Sequence, residues 1–300
     1  MKRKPGQWRF LNTAFGNAFF NMAVDEALVT SVREGAAPPT VRVFGWEPPA
    51  VSFGYAQRVS REVDPDRCRE MGVDVVRRPT GGRAVLHWNE LTYSVVCPED
   101  DPILGGTIGE AYRKISECLL AGLRQMDAEV AFEPGRLPQP SPRNEELTSP
   151  CFSSTAQFEI TFQGRKLVGS AQRRMGGMLL QHGSLLLGPE HKRVVELLPE
   201  GREAVGERFR KMLDQQTASL SEATQGRVDF QTTAEAIREG FGGVVPLSDD
   251  QGELTPLERS EADRLVREKY STDAWNYRDR DQGGQTGEVV RRVLPSTSAL

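Results

Sequence analysis

The stretch "QFEITFQGRKLVGSAQRRMGGMLLQHGSLLLG", residues 157–188, constrains the fold more than any other part of the chain. It is rich in alternating apolar and polar residues. It is broken at Gln163-Gly164 and Gly176-Gly177, dipeptides that tolerate the positive φ of a two-residue hairpin turn. The spacing predicts an antiparallel β meander. Further β-rich runs precede it. "TVRVFGW" and "AVSFGY", split by "EPP", predict two strands with a tight connection, and "VDVVRRPTGGRAVLHWNELTYSVVC" predicts strand, glycine turn, strand.

Helical spacing marks "NAFFNMAVDEALVTSVREG", where Phe20, Ala23, Val24, Ala27, Leu28 and Ser31 recur on one face and Gly35 ends the run. "GTIGEAYRKISECLLAGLRQM" has an apolar face of Tyr112, Ile115, Leu119, Leu123 and Met126, with Thr107 as cap. "DPDRCREMG" predicts a short helix capped by aspartate. Residues 190–245 turn helical through "HKRVVELLP" and "TTAEAIREGFGG", and "TPLERSEADRLVREKY" adds another helix. Strands and helices mix without a βαβ rhythm. The expected class is α+β, a mostly antiparallel mixed sheet flanked by helices. Residues 1–248 are expected to form one domain, 249–279 a helical segment packed on it, and 280–300 a disordered polar tail.

Net charge is −4 over 300 residues, which argues against bulk nucleic-acid binding. Local clusters remain: Arg77, Arg78 and Arg83, and Arg165, Lys166, Arg173 and Arg174. No apolar run reaches the roughly 20 residues of a membrane helix. The basic start "MKRKPGQWRF" lacks a signal-peptide apolar stretch, so a cytoplasmic protein with no membrane partner is expected. The four cysteines form no C-x-x-C pair and only three histidines are present, which disfavours a finger-type metal site.

"RRPTGGRAVLH" is the strongest local signal. Two glycines leave no side chain above the turn, so a ligand can lie against backbone amides, and flanking arginines suit a phosphate or carboxylate. The spacing alone leaves an ordinary Gly-Gly hairpin with exposed arginines open. Cys68 and Cys118 fall where small packed hydrophobes fall, and Cys97 ends a strand before Pro98. Cys151 follows a Pro-rich loop and precedes a strand, the position of a reactive thiol. A thiol needs a nearby cation or base to attack well, and Lys166 or a histidine could supply it. An incidental loop cysteine and a solvated turn lysine stay open on spacing. His87 and His182 lie in predicted strands beside glycine turns, and His191 starts a helix and is expected to be exposed.

Taken together, "RRPTGGRAVLH", "GRKLVGSAQRR" and "QHGSLLL" resemble the three ordered signatures of the lipoate–protein ligase/octanoyltransferase superfamily. The resemblance covers about residues 7–278, including "WRFLNTAFGNAFFNMAVDEAL" and "KYSTDAWNYR". Within the superfamily the chain is most similar to octanoyltransferases with a Cys-Phe dipeptide ahead of the Gly-Arg-Lys hairpin, here Cys151-Phe152. Trp88 departs from the acidic residue common after that histidine in the transferases. The resemblance implies a biotin/lipoate ligase-like catalytic domain. It implies Cys151 and Lys166 as catalytic residues, with Arg78, Thr80, Gly81, Gly82, Arg83, His87, Gly169, Ser170, Ala171, His182 and Gly183 around the substrate. It implies an octanoyl-acyl carrier protein donor and a lipoyl-domain acceptor such as the glycine cleavage H protein, with no cofactor. An ATP-dependent lipoate–protein ligase, an amidotransferase between lipoyl domains and a non-catalytic lipoyl-binding module are the alternatives.

Overall fold

A computed structural model of the chain describes residues 6–134, 158–226, 228–249 and 252–278. Strand β1 (Arg9–Gly16) leads to helix α1 (Ala18–Arg33), whose N-cap Asn17 accepts from the Phe20 amide at 2.9 Å. Then come β2 (Thr40–Trp46), β3 (Ala50–Phe53), α2 (Val59–Glu62), α3 (Pro65–Glu70), β4 (Asp74–Arg77), β5 (Val85–His87) and β6 (Glu90–Pro98). Helix α4 (Ile108–Gln125) starts at a capping box formed by Thr107 and Glu110. The rest is β7 (Ala131–Pro134), β8 (Phe158–Phe162), β9 (Arg165–Lys166), β10 (Val168–Met175), β11 (Met178–Leu186), α5 (Glu203–Gln216), α6 (Leu220–Ala223), α7 (Phe230–Gly242), α8 (Pro256–Leu265) and α9 (Asp273–Asn276).

The strands form three sheets, in the orders β1-β2-β6-β11-β10, β4-β3-β5 and β7-β8-β9. β1–β2 and β3–β4 are parallel and the other pairs antiparallel, so the α+β class with a mostly antiparallel mixed sheet holds. Period-two alternation gives the five-stranded sheet two buried faces. Val41, Val43, Tyr93, Val95, Leu179 and Leu185 share a core with Ile115, Leu119 and Leu123 of α4 and Ile237 and Phe241 of α7. Phe44, Val96 and Leu180 share another with Met22, Val24 and Leu28 of α1 and Ala262 and Leu265 of α8. No helix among the described residues is long and apolar enough to cross a membrane.

Several expectations change. The predicted meander is two hairpins in different sheets: β8–β9 turns at Gln163-Gly164 and β10–β11 at Gly176-Gly177, all four residues at positive φ. The tightly connected runs β2 and β3 likewise separate into different sheets. The glycine turn after β4 is no hairpin, because β4 and β5 lie on opposite sides of β3. "HKRVVELLP" lies largely in a 3-10 segment (Pro189–Leu197), and the last predicted helix ends in a π turn (Val266–Tyr270). His191, expected to be exposed, is buried, with Nε2 2.8 Å from Thr217 Oγ1. Burial pushes its imidazole down to about 4.

Candidate active site

A cavity of about 60 Å³ lies where the sheets meet. One wall is the α1 side of the five-stranded sheet: Trp46, Thr92, His182 and Ser184, with Met22 from α1. Facing it are Ser52 of β3, Val85 and His87 of β5, and Arg78 and Gly82 of the loop between β4 and β5. Lys166 of β9 closes one end beside Gly169, Ser170, Ala171 and Gly183. Nine of the residues singled out from sequence therefore line one space: Arg78, Gly82, His87, Lys166, Gly169, Ser170, Ala171, His182 and Gly183. Thr80, Gly81 and Arg83 belong to the same loop but are not part of that lining. Cys151 lies outside the described residues.

The loop is held open by its own arginine. Arg78 donates to the carbonyls of Gly81 (2.8 Å), Arg83 (2.7 Å) and Ser52 (2.9 Å) and to Ser52 Oγ (3.0 Å). A planar guanidinium with five donors can reach all four of these acceptors at once, one more than the three N–H groups of an ammonium. Gly82 has φ +96°, and a Cβ there would come within 2.6 Å of Arg78 Nη2. Arg77, expected to face a ligand, is fully buried. It bonds the carbonyls of Gly54, Tyr55 and Gln57 and, from the C-terminal segment, those of Trp275 and Asn276. These two arginines shape the loop from within.

Sequence reasoning missed the buried carboxylates that orient both histidines. Asp25, on α1, is fully buried and takes Arg42 Nη1 at 2.8 Å, Ser94 Oγ at 2.9 Å and His182 Nδ1 at 2.9 Å. Burial alone would raise its acidity range, but the His182 hydrogen bond, the Arg42 charge and the Ser94 bond together hold it below the ordinary value. Burial pulls His182 below its usual range against the attraction of Asp25, so the ring is neutral at neutral pH. With Nδ1–H given to Asp25, His182 Nε2 accepts from Thr80 Oγ1–H at 2.6 Å. The readable signal was a polar pair, Asn21 and Asp25, four apart on an otherwise apolar helix face: Asn21 also holds Arg42, through Oδ1 at 2.9 Å.

The second histidine is set the same way. Glu90 Oε1 accepts from His87 Nδ1–H at 2.8 Å, and Ser52 Oγ lies 2.7 Å from Nε2. Trp46 stacks on the ring at 4.0 Å and donates its indole N–H to Thr92 Oγ1, which in turn donates to Glu90 Oε1. The carboxylate beside His87 thus comes from Glu90, while Trp88 turns to Arg193, whose guanidinium stacks 4.3 Å from its ring.

Lys166 is no solvated turn residue. Its side chain is 6% exposed, and Nζ donates to Glu159 Oε1 at 2.8 Å across the β8–β9 hairpin. The other thiols are inert. Burial pushes Cys68 and Cys118 up to about 12 and Cys97 higher still, well above the range of a reactive thiol.

The lipoyl protein ligase A/B catalytic domain model matches residues 17–242. The chain belongs to this family. It is 42% identical over 275 residues to the octanoyltransferase LipM of Kyrpidia tusciae, covering 90% of this chain and 98% of the relative. It is 36% identical over 275 residues to the octanoyltransferase LipM of Bacillus subtilis, again covering 90% and 98%. Among solved structures, it is similar to the bipartite lipoate protein ligase of Thermoplasma acidophilum, at TM-score 0.72 and 26% identity over 95% of this chain and 99% of that one. A lipoate-protein ligase A bound with ATP gives TM-score 0.69 and 26% identity over 91% and 98%. The fold is that of the lipoate–protein ligases.

Proposed function

We infer that the chain is an acyltransferase of lipoate biosynthesis that moves an octanoyl group from octanoyl-acyl carrier protein to a lysine of a lipoyl domain, the glycine cleavage H protein being the expected acceptor. The observation that carries this reading is Lys166 Nζ, buried at the end of an apolar-walled cavity next to the loop that Arg78 holds open. The high identity to octanoyltransferases along nearly their whole length supports transfer over ATP-driven ligation.

The chemistry follows from the residues. A thioester is already activated, so no nucleotide is required. The Cys151 thiolate forms a bond to the acyl carbon, and the carbon–sulfur bond to the carrier's thiol breaks. The alkyl chain then lies against Met22, Trp46 and Val85. Lys166 supplies positive charge to the thiolate and to the oxyanion of each tetrahedral intermediate. The acceptor amine then forms the amide, and Cys151 leaves as thiolate. His182, neutral and fixed by Asp25, holds Thr80 and thereby the glycine loop. In this reading residues 1–248 form the catalytic domain and 249–279 a helical segment laid on it. The bonds from Arg77 to Trp275 and Asn276 support that arrangement. A cytoplasmic location matches that of acyl carrier proteins.

The test is a paired assay with a lipoyl domain as acceptor. Octanoyl-carrier alone should octanoylate one lysine, and free octanoate with ATP and magnesium should not. Modification only from octanoate and ATP would make the protein a ligase.

A further inference from the structure

The serines lining the cavity are Ser52, Ser170 and Ser184, and their partners separate them. Ser170 Oγ meets another hydroxyl, that of Tyr93, at 2.7 Å. Ser184 Oγ lies 3.2 Å from His87 Nδ1, the ring nitrogen whose hydrogen goes to Glu90. Ser52 Oγ lies 2.7 Å from His87 Nε2, the nitrogen left to accept. Ser52, His87 and Glu90 therefore stand in line as hydroxyl, imidazole and carboxylate, with contacts of 2.7 and 2.8 Å. That order and spacing suit a nucleophile, its base and the group that orients the base.

We propose that Ser52 is a second nucleophile, with His87 as its general base, and that this cavity hydrolyses short acyl esters and thioesters. The proposal is independent of the transfer reading: Ser52, His87, Glu90 and Arg78 all lie among the described residues, and Cys151 takes no part.

Hydrogen bonds alone do not make a nucleophile. Thr80, His182 and Asp25 repeat the same order at 2.6 and 2.9 Å, but Thr80 does not line the cavity. Ser52 and His87 both do. The β4-β3-β5 sheet sets the reacting groups side by side. Ser52 is in the middle strand, His87 ends β5 on one flank, and Arg78 follows β4 on the other. His87 is held against turning away. Glu90 takes its Nδ1–H, Trp46 stacks on the ring at 4.0 Å, and Thr92 Oγ1 fixes Glu90 Oε1 by a further hydrogen bond. Developing charge has a partner as well. Arg78 Nη1 donates to Ser52 Oγ at 3.0 Å, so an oxyanion on a carbon bonded to that oxygen would form within reach of the same N–H. The cavity's 60 Å³ exceeds the roughly 10–15 Å³ that one water needs, which leaves room for water beside a short acyl group.

The step balances as follows. Ser52 Oγ forms a bond to the acyl carbon, and its proton passes to His87 Nε2. The bond from that carbon to the leaving oxygen or sulfur breaks, and the leaving group takes the proton from Nε2. Water then attacks the acyl-serine and gives a proton to His87. The carbon–Oγ bond breaks, the proton returns to Ser52, and a carboxylic acid leaves. The net reaction is ester or thioester plus water to acid plus alcohol or thiol.

The first test measures hydrolysis of p-nitrophenyl acetate by the full chain carrying Cys151→Ala, which removes that thiol from the reading. Nitrophenolate should appear faster than in buffer. Adding Ser52→Ala or His87→Gln should each lower kcat/KM by about 10² or more. No hydrolysis above buffer, or a loss within about threefold in Ser52→Ala, overturns the proposal. The second test needs no altered Ser52, so it decides the matter even where Ser52→Ala does not fold. Methanesulfonyl fluoride forms an oxygen–sulfur bond at an activated serine and expels fluoride. Intact mass and peptide mapping of the unaltered chain should place one methanesulfonyl group on Ser52, and His87→Gln should slow that labelling by about tenfold or more. A label on Lys166 or another residue instead, no label, or an unchanged rate in His87→Gln would leave Ser52 as a structural tie between β3 and β5 and overturn the proposal.

Discussion

His182 Nε2 lies 2.6 Å from Thr80 Oγ1, a contact between residues 102 positions apart that fastens the glycine loop to the central sheet. The contact depends on a third residue. Asp25 takes the other ring nitrogen and also neutralises the buried Arg42. Removing one partner of a buried ion pair is expected to cost about 3–5 kcal/mol. Asp25→Asn should therefore lower stability by roughly that amount in urea denaturation, and its folded fraction should transfer poorly because His182 no longer holds a fixed tautomer. A loss under about 1 kcal/mol with normal turnover would reduce the network to packing.

Lys166→Ala tests the cation at the cavity end. A surface lysine would tolerate the change within about 0.5 kcal/mol and leave turnover alone. The geometry predicts a folded protein with transfer down by about 10² or more, and slower iodoacetamide labelling of Cys151 near neutral pH. Lys166→Arg keeps the charge but changes its shape and reach, so it should rescue poorly. Unchanged turnover together with unchanged labelling would return Lys166 to a structural role.

His191 makes a prediction about pH and stability. Its folded value is about 4, against an ordinary 6.5. Between those values the unfolded chain binds a proton that the native protein refuses. Stability therefore rises with pH across this window and is lost as pH falls from about 6.5 toward 4, by about 3 kcal/mol in all from this group. His182, also pulled down by burial, adds in the same direction. Unfolding free energies measured from pH 7 to 4.5 should decline, and His191→Gln should flatten the decline by close to one proton. An equal slope in the variant would place the titration elsewhere.

What was legible in the sequence was whatever depends on local spacing. The cap at Thr107, the paired turns at Gln163-Gly164 and Gly176-Gly177, and the apolar face of α4 all follow from residues a few positions apart. The loop "RRPTGG" and Lys166 could be marked, because glycine and cation chemistry is local too. The carboxylates could not. Asp25 looks like an ordinary helix aspartate until β2 brings Arg42 and β11 brings His182 against it. Glu90 was hidden because Trp88 stood where an acid was expected. Sheet membership was equally hidden: alternation says that β8 and β10 are strands, but not that a single residue, Leu167, carries the chain from the sheet of β9 to that of β10.

The central claim is that the acyl group rests on the protein before the acceptor sees it. Intact-protein mass after mixing with octanoyl-carrier, without acceptor, tests it most directly. One added octanoyl group, removed by hydroxylamine and mapped by peptide analysis to Cys151, is the predicted result. An adduct elsewhere, or no adduct while a lipoyl domain is being octanoylated at full rate, would contradict it.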